Sequence, residues 1–202
     1  MEGAELNRLI IIGASGHGKV IADIAVKNGY DEIVFLDDNE TIKECAGFPV
    51  IGKTQEATKL DGDKIVAIGN ARIREKIQKD IETVTLIHQN AVVGRRVKIG
   101  KGTVVMAGAV INSDTVIGDG CIINTSSSVD HDCILEDYCH VAVGAHLCGT
   151  VHVGKRTWIG AGATVSNNIN ICGDCMIGAG AVVIRNIIDS GIYTGIPAKQ
   201  ND

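Results

Sequence analysis

The 202-residue chain is poor in proline and in aromatic side chains, with 2 prolines and 3% Phe, Trp and Tyr. It has no uninterrupted apolar run of membrane-spanning length, and the stretch Leu9 to Ile12 is too short for the apolar region of a signal peptide. It also has no excess of positive charge, because the formal net charge is −5. We therefore expect no membrane insertion and no general affinity for nucleic acid.

Glycine is abundant instead, at 25 residues, so the core must be filled by aliphatic and small side chains in many similar layers. Every sixth residue from Ile87 to Val183 is aliphatic, and a second series four residues later is small except at Ile169. This period suits short strands joined by tight turns. Three strands close a coil of 18 residues, so the pattern predicts a parallel β-helix of a little over five coils.

The same period accounts for six of the seven cysteines. Four of them lie in the small inward series: Cys121, Cys133, Cys139 and Cys175. Cys148 and Cys172 follow the large aliphatic residue, in another position for small side chains. We interpret these cysteines as small packing residues of a cytoplasmic protein. No CxxC pair comes with further ligands, which argues against zinc.

Residues 1–86 show a different pattern and are predicted to form a separate domain from residues 87–202. The predicted elements are a strand from Arg8 to Ile12, a helix from Val20 to Asn28, strands from Glu32 to Leu36 and from Lys64 to Ile68, and a helix from Ala71 to Ile81. A strand, a glycine-rich turn, a helix and a second strand ending in an acid begin a Rossmann-like α/β fold.

The glycine-rich turn, Gly13 to Lys19, is not GxGxxG, and Val20 stands where a P-loop needs Ser or Thr to hold Mg²⁺. It suits a backbone cradle for a phosphate or diphosphate at a helix N-terminus, although a turn that merely needs glycines remains an alternative. Asp37 and Asp38, at the end of the next strand, suit a ribose or base edge. We predict that the acceptor-binding residues are Ser15, Gly16, His17, Asp37, Asp38 and Gly69.

Several blocks together resemble one known family. They are Gly13 to Lys19, Leu36-Asp37-Asp38, Ala67-Ile68-Gly69-Asn70, Asn124-Thr125-Ser126-Ser127, and His131 to His140. In this order they resemble bacterial nucleotide-sugar N-acetyltransferases of the hexapeptide-repeat acyltransferase superfamily. The similarity is strongest to the UDP-4-amino-sugar acetyltransferase of bacillosamine synthesis and its sialic-acid O-acetyltransferase relatives.

The resemblance implies a left-handed β-helix, a homotrimer with acetyl-CoA bound between subunits, and a nucleotide-binding N-terminal domain. It implies His131 as the general base, the following acid as the group that raises its basicity, and His140, Gly149, Ala161 and Ala179 as acetyl-CoA contacts. The family carries glutamate where this chain has Asp132, whose side chain is one methylene shorter.

The residues themselves also favour His131 among the six histidines. It lies in a turn between Asp130 and Asp132, either of which could pair with the imidazole. Adding 18 gives Gly149, which should lie beside it on the next coil and leave space for a thioester and a free backbone N–H. His140, His146 and His152 end successive hexapeptides, so they fall on three faces, which makes a three-histidine metal site improbable.

The sequence thus predicts an acetyltransferase that moves acetyl from acetyl-CoA to the amine of a nucleotide-linked, UDP-type 4-amino-sugar. His131 would act as base with Asp132 as its partner, without a metal. Two alternatives stay open: O-acetylation of a sugar hydroxyl such as that of sialic acid, and a non-catalytic trimeric β-helix scaffold.

Overall fold

The computed structural model describes residues 7–201. The chain folds as two compact units, one ending at Gln89 and the other beginning at Asn90. No helix within the described residues combines the length and the apolar character needed to cross a membrane.

The N-terminal unit contains a five-stranded sheet with the strand order β3-β4-β2-β1-β5. Its strands are β1 (Arg8–Ile12), β2 (Glu32–Leu36), β3 (Glu44–Cys45), β4 (Phe48–Gly52) and β5 (Asp63–Val66), followed by the short strand β6 (Leu86–Ile87). Its helices are α1 (Gly16–Lys27), α2 (Ala71–Gln78) and a 3₁₀ helix (Thr54–Lys59). Strands β1, β2, β4 and β5 pair in parallel, as the Rossmann-like prediction requires, and β3 and β4 form an antiparallel hairpin.

The glycine-rich segment differs from the prediction because α1 begins at Gly16 rather than at Val20. Only the first part of the segment is a turn. The remainder fits in the first helical turn because Gly18 has no side chain, and a β-carbon there would lie 2.3 Å from the carbonyl oxygen of Gly13. The close approach of β1 to α1 therefore requires this glycine.

Three further boundaries in this unit were predicted wrongly. The strand β5 ends at Val66 instead of Ile68, and α2 ends at Gln78 instead of Ile81. The hairpin of β3 and β4 was not predicted, because two-residue strands and Pro49 give no strong strand pattern.

The C-terminal unit is a parallel β-helix, as predicted. Its sixteen repeat strands have two residues each and run from β7 to β22: Val92–Val93, Lys98–Ile99, Val104–Val105, Val110–Ile111, Val116–Ile117, Ile122–Ile123, Ser128–Val129, Ile134–Leu135, His140–Val141, His146–Leu147, His152–Val153, Trp158–Ile159, Thr164–Val165, Asn170–Ile171, Met176–Ile177 and Val182–Val183. β23 (Ile192–Thr194) and β24 (Lys199–Gln200) follow.

Every repeat strand pairs with the strand 18 residues away, so the β-helix has three parallel sheets. We call them the first sheet (β7 to β22), the second sheet (β8 to β20) and the third sheet (β9 to β24). The inward aliphatic residues are buried, as Ile111, Val129 and Leu147 illustrate with at most 1% exposure. Burial of this repeated aliphatic column at about 25 cal/mol per Å² is the main stabilising contribution of the coils.

The small inward series includes a column of hydroxyl and thiol side chains: Thr103, Cys121, Cys139, Thr157 and Cys175. Thr157 Oγ1 donates to the carbonyl of Cys172 at 2.9 Å, and Cys139 Sγ donates to that of Gly154 at 3.2 Å. Four predicted packing cysteines are buried in this unit, but Cys148 and Cys172 are only half-buried because they lie at the outer edge of a turn.

Candidate active site

His131 lies in the turn between the strands Ser128–Val129 and Ile134–Leu135, at the edge where the first and second sheets meet. Its side chain is 55% exposed, and its Nδ1 lies 2.7 Å from Oδ2 of Asp132. Asp132 adopts a left-handed backbone conformation with φ 58°, which turns its carboxylate back toward the neighbouring ring. The imidazole is therefore oriented from its Nδ1 side.

Asp130 has a different task in the same turn. Its Oδ1 accepts hydrogen bonds from the backbone N–H of His131 at 2.8 Å and from Nδ2 of Asn112 at 2.7 Å. These bonds lower the pKa of the Asp130 carboxyl. The hydrogen bond from Asp132 raises the pKa of His131, and the negative charge of Asp130 adds to the increase. The ring partner left open by the sequence is thus Asp132.

Gly149 lies beside His131 on the next coil, as the spacing of 18 residues predicts. Thr150 N donates to the carbonyl of His131 at 2.9 Å and joins the two turns. A β-carbon on Gly149 would lie 2.6 Å from Cε1 and 2.7 Å from Nε2 of the imidazole, so only glycine leaves room for this ring position. The Gly149 N–H donates to no other atom of residues 7–201.

His140 lies on the third sheet, in the strand His140–Val141, and is half-buried. Its Nε2 lies 3.0 Å from Nδ2 of Asn124, and its ring stacks on Trp158 with 4.7 Å between the centroids. Trp158 is 39% exposed, so it presents an open aromatic edge beside His140. The sequence analysis missed this tryptophan, although the sum of 140 and 18 identifies it.

Ala161 and Ala179 lie in successive turns between the third and first sheets, and both are exposed. The N–H of Gly180 donates to the carbonyl of Ala161 at 2.8 Å, which stacks the two turns. The predicted acetyl-CoA contacts therefore fall on two parts of one β-helix. Gly149 lies at the edge that carries His131, whereas His140, Ala161 and Ala179 lie on or next to the third sheet.

The remaining histidines of the repeat occupy separate faces, as predicted. Nδ1 of His146 on the first sheet lies 2.8 Å from the Ser128 hydroxyl, and Nε2 of His152 on the second sheet lies 3.0 Å from a Glu136 carboxylate oxygen. Within residues 7–201, no group of three or more His, Cys, Asp or Glu side chains is arranged to hold a metal ion.

In the N-terminal unit, Asp37 organises the glycine-rich turn. Its Oδ2 accepts from the backbone N–H of Ala14 at 2.7 Å, and its Oδ1 accepts from the N–H of Asn39 at 2.8 Å. Asp38 Oδ1 accepts from the N–H of Thr54 at 3.0 Å. Both carboxylates thus hold loops at the carboxyl end of the parallel strands, where open α/β sheets bind ligands.

Ser15 and Gly16 are exposed at the start of α1, and His17 follows them with its Nε2 buried. Burial, with the positive charge of Arg74 as a second cause, lowers the pKa of His17 to about 4, so the ring is neutral at pH 7. Nε2 of His17 has no hydrogen-bond partner among the described residues. A buried polar atom of this kind is normally satisfied by a ligand or water.

Gly69 lies in the loop after β5, which is held by a residue that the sequence analysis missed. Arg74 is 1% exposed, and its guanidinium donates to the carbonyls of Ile68 at 2.8 Å and Gly69 at 2.9 Å. An arginine at this point of an amphipathic helix gives no sequence signal, because its burial depends on the preceding loop. A groove of about 750 Å³, with Asp38, Lys53 and Lys76 in its lining, lies in the same unit.

A Rossmann-like unit followed by a β-helix with an oriented histidine defines the class of hexapeptide-repeat acyltransferases. Comparisons with known proteins narrow this class. Residues 8–81 match the family described as the PglD N-terminal domain. The acetyltransferase domain of PglB from Neisseria gonorrhoeae is 41% identical with a TM-score of 0.93, and the match covers 96% of this chain and 100% of that domain. The chain belongs to the PglD-type nucleotide-sugar N-acetyltransferase family.

Two other relatives carry informative names. A variant of perosamine N-acetyltransferase from Caulobacter crescentus, solved with CoA and GDP-perosamine, is 36% identical with a TM-score of 0.94, and the match covers 98% of each chain. The UDP-N-acetylbacillosamine N-acetyltransferase of Bacillus subtilis is 35% identical over 113 residues, which are 50% of this chain and 52% of that protein. The chain thus spans about half the length of this curated relative, and its match with a mimivirus protein covers 20% of that protein.

Proposed function

We propose that this chain transfers acetyl from acetyl-CoA to the amino group of a nucleotide-linked 4-amino-sugar, with His131 as the general base. The observation that carries the proposal is the imidazole held by Asp132 at Nδ1 and set against Gly149 with its Nε2 side. A solved relative with acetyl coenzyme A and another with CoA and GDP-perosamine support the two substrate classes.

In the proposed mechanism, Nε2 of His131 takes the proton from the attacking amine, and Asp132 stabilises the resulting imidazolium. The amine nitrogen bonds to the thioester carbonyl carbon, and the Gly149 N–H donates to the oxyanion. Collapse of the tetrahedral intermediate breaks the carbon–sulfur bond. His131 returns the proton to the departing sulfur, so CoA leaves as the thiol.

The proposed site requires more than one subunit. His131 with Gly149 and the group of His140, Ala161 and Ala179 lie on different sides of the same triangular β-helix. One acetyl-CoA molecule reaches both groups if the third-sheet side of one subunit faces the His131 edge of another. A closed ring of three chains repeats this contact at every interface, so we propose a homotrimer, testable by sedimentation.

The acceptor is proposed to be held by the N-terminal unit, through Ser15, Gly16, His17, Asp37, Asp38 and Gly69. Assays of thiol release with a panel of UDP- and GDP-linked amino-sugars, with mass analysis of the product, test the acceptor class. We expect an amide product on a nucleotide amino-sugar. An ester on a free sugar such as sialic acid, with no reaction of any amino-sugar nucleotide, would overturn the proposal.

Replacement of Asp37 by alanine is expected to weaken acceptor-nucleotide binding about tenfold or more, because the Ala14 N–H and the turn it belongs to lose their anchor. Calorimetric titration with the nucleotide sugar measures the effect. Asp31 lies at the opposite end of β2, so its replacement by alanine serves as the matched control and should leave the affinity unchanged. Equal affinities for both variants would remove Asp37 from the acceptor site.

Replacement of Asp132 by asparagine is expected to move the acidic limb of the pH–kcat/KM profile to lower pH. The base must be neutral, so activity falls as the pH drops through the His131 pKa, which the Asp132 hydrogen bond raises. The lower pKa of the variant also makes the base weaker, and the plateau rate should fall. The Asp130→Asn variant should shift the limb less, because Asp130 raises the pKa only through its charge. An unshifted limb in the Asp132 variant would contradict this role.

A further inference from the structure

Two cysteines outside the proposed active site face each other across one turn of the β-helix. The Sγ atoms of Cys172 and Cys175 lie 3.4 Å apart. They enclose the turn residues Gly173 and Asp174, between strands of the second and third sheets. This edge differs from the edge that carries His131, so the pair is independent of the proposed acetyl transfer.

The backbone already brings the two residues within the range that a disulfide needs. The first and last Cα atoms of a β-turn lie closer than about 7 Å, and disulfides join Cα atoms about 4.4–6.8 Å apart. Neighbouring coils fix the turn: Arg156 donates to both carboxylate oxygens of Asp174 at 2.8 and 2.7 Å, and Cys175 N donates to Thr157 Oγ1 at 3.2 Å. Closing the S–S bond thus needs side-chain rotation rather than backbone movement.

The two thiols differ in access. Cys172 is half-buried, whereas Cys175 is 3% exposed and lies at the end of the inward hydroxyl and thiol column. Burial, with the Cys172 hydrogen bond as a second cause, raises the pKa of Cys175 to about 12. A thiolate is the reactive form of cysteine, so Cys172 meets an oxidant first and Cys175 is the second, resolving thiol.

We propose that Cys172 and Cys175 are a modification site at which a hydroperoxide produces a reversible intramolecular disulfide. The Cys172 thiolate attacks one peroxide oxygen, the O–O bond breaks, and Cys172 becomes a sulfenic acid while water or an alcohol leaves. The Cys175 sulfur then attacks the Cys172 sulfur, loses its proton, and displaces hydroxide, which leaves as water. The two thiols lose two electrons, and the peroxide gains them.

Cys121 and Cys139 provide an internal comparison. They also lie one coil apart in the column, but both are fully buried, and their thiols donate to the carbonyls of Glu136 and Gly154 at 3.3 and 3.2 Å. An oxidant in water cannot reach them in the folded protein. Oxidation is therefore expected to select the Cys172–Cys175 pair.

The test treats the reduced, folded full-length chain with a small excess of hydrogen peroxide and follows it by intact-mass and peptide-mass analysis. We expect the loss of two hydrogen masses, a cross-link confined to Cys172 and Cys175, and full reversal by dithiothreitol. The Cys172→Ser variant should not react. The Cys175→Ser variant should stop at a Cys172 sulfenic acid that dimedone traps, and it should fold because Thr157 already places a hydroxyl in the same column.

Two results would overturn the proposal. One is that both thiols remain open to alkylation after unfolding of the peroxide-treated protein. The other is that wild-type Cys172 accumulates as sulfinic acid without a link, since this shows that Cys175 does not resolve it. Circular dichroism of each variant before treatment establishes that the fold is intact.

Discussion

Replacement of His131 by alanine is expected to lower kcat by roughly a hundred- to ten-thousand-fold, the range that a positioned general base contributes. The ring is exposed and outside the aliphatic column, so its removal costs the β-helix little stability. The KM values for both substrates should change little, because the imidazole acts on the proton rather than on binding. Thiol release at saturating acetyl-CoA and acceptor measures the effect.

His152 provides the matched control for this variant. It is also an exposed histidine of the β-helix, 42% exposed, and its Nε2 lies 3.0 Å from a Glu136 carboxylate oxygen. It lies on the second sheet and is not part of the proposed site. His152→Ala should therefore retain the wild-type rate. Comparable losses in both variants would indicate a general effect on the β-helix instead of loss of a base.

Replacement of Gly149 by alanine is expected to lower kcat about a hundredfold by displacing the base. The added methyl would lie 2.6 Å from Cε1 of His131, and this distance is too short for any stable contact. The exposed ring must rotate, and a displacement of about 1 Å at a reacting group costs on the order of a hundredfold in rate. The folded state should persist, because the imidazole can swing into solvent.

A double-mutant cycle isolates this effect from other consequences of the methyl group. In the His131→Ala background there is no ring to displace, so Gly149→Ala should cause little further loss of kcat. If the glycine variant loses the same factor in both backgrounds, its role is contact with acetyl-CoA or with the oxyanion rather than room for the ring. The measurement is thiol release by all four proteins under identical conditions.

The β-helix was predictable because its register is written in the sequence. A strict period of six determines which residues point inward, and three periods determine which residues stack. The position of Gly149 beside His131 follows from this arithmetic alone, and so does the separation of His140, His146 and His152 onto three sheets. The predicted fold class, a Rossmann-like α/β unit followed by a parallel β-helix, is confirmed.

The arithmetic does not determine which polar atoms meet. It left Asp130 and Asp132 as equal partners for His131, and the difference depends on the left-handed conformation of Asp132. It treated Cys172 and Cys175 as separate packing residues, although the turn between them brings their sulfur atoms together. Such contacts depend on side-chain rotamers and turn geometry, which the hydrophobic period does not encode.

The N-terminal unit was less predictable because it is not periodic. Strand ends and helix ends there are decided by tertiary contacts, such as the close approach of Gly18 to Gly13 that lets α1 begin early. The buried Arg74 was missed for the same reason, since the carbonyls that it binds come from a loop outside its own helix.

The central claim is that the His131 imidazole removes the amine proton within a complex of acetyl-CoA and a nucleotide amino-sugar. The most direct test is single-turnover acetyl transfer, with enzyme in excess over acetyl-CoA and the acceptor bound beforehand. The account predicts rapid formation of the N-acetyl product by the wild type and a rate at least about a hundredfold lower for His131→Ala, with unchanged affinity for both substrates. Equal single-turnover rates for the two proteins would contradict it.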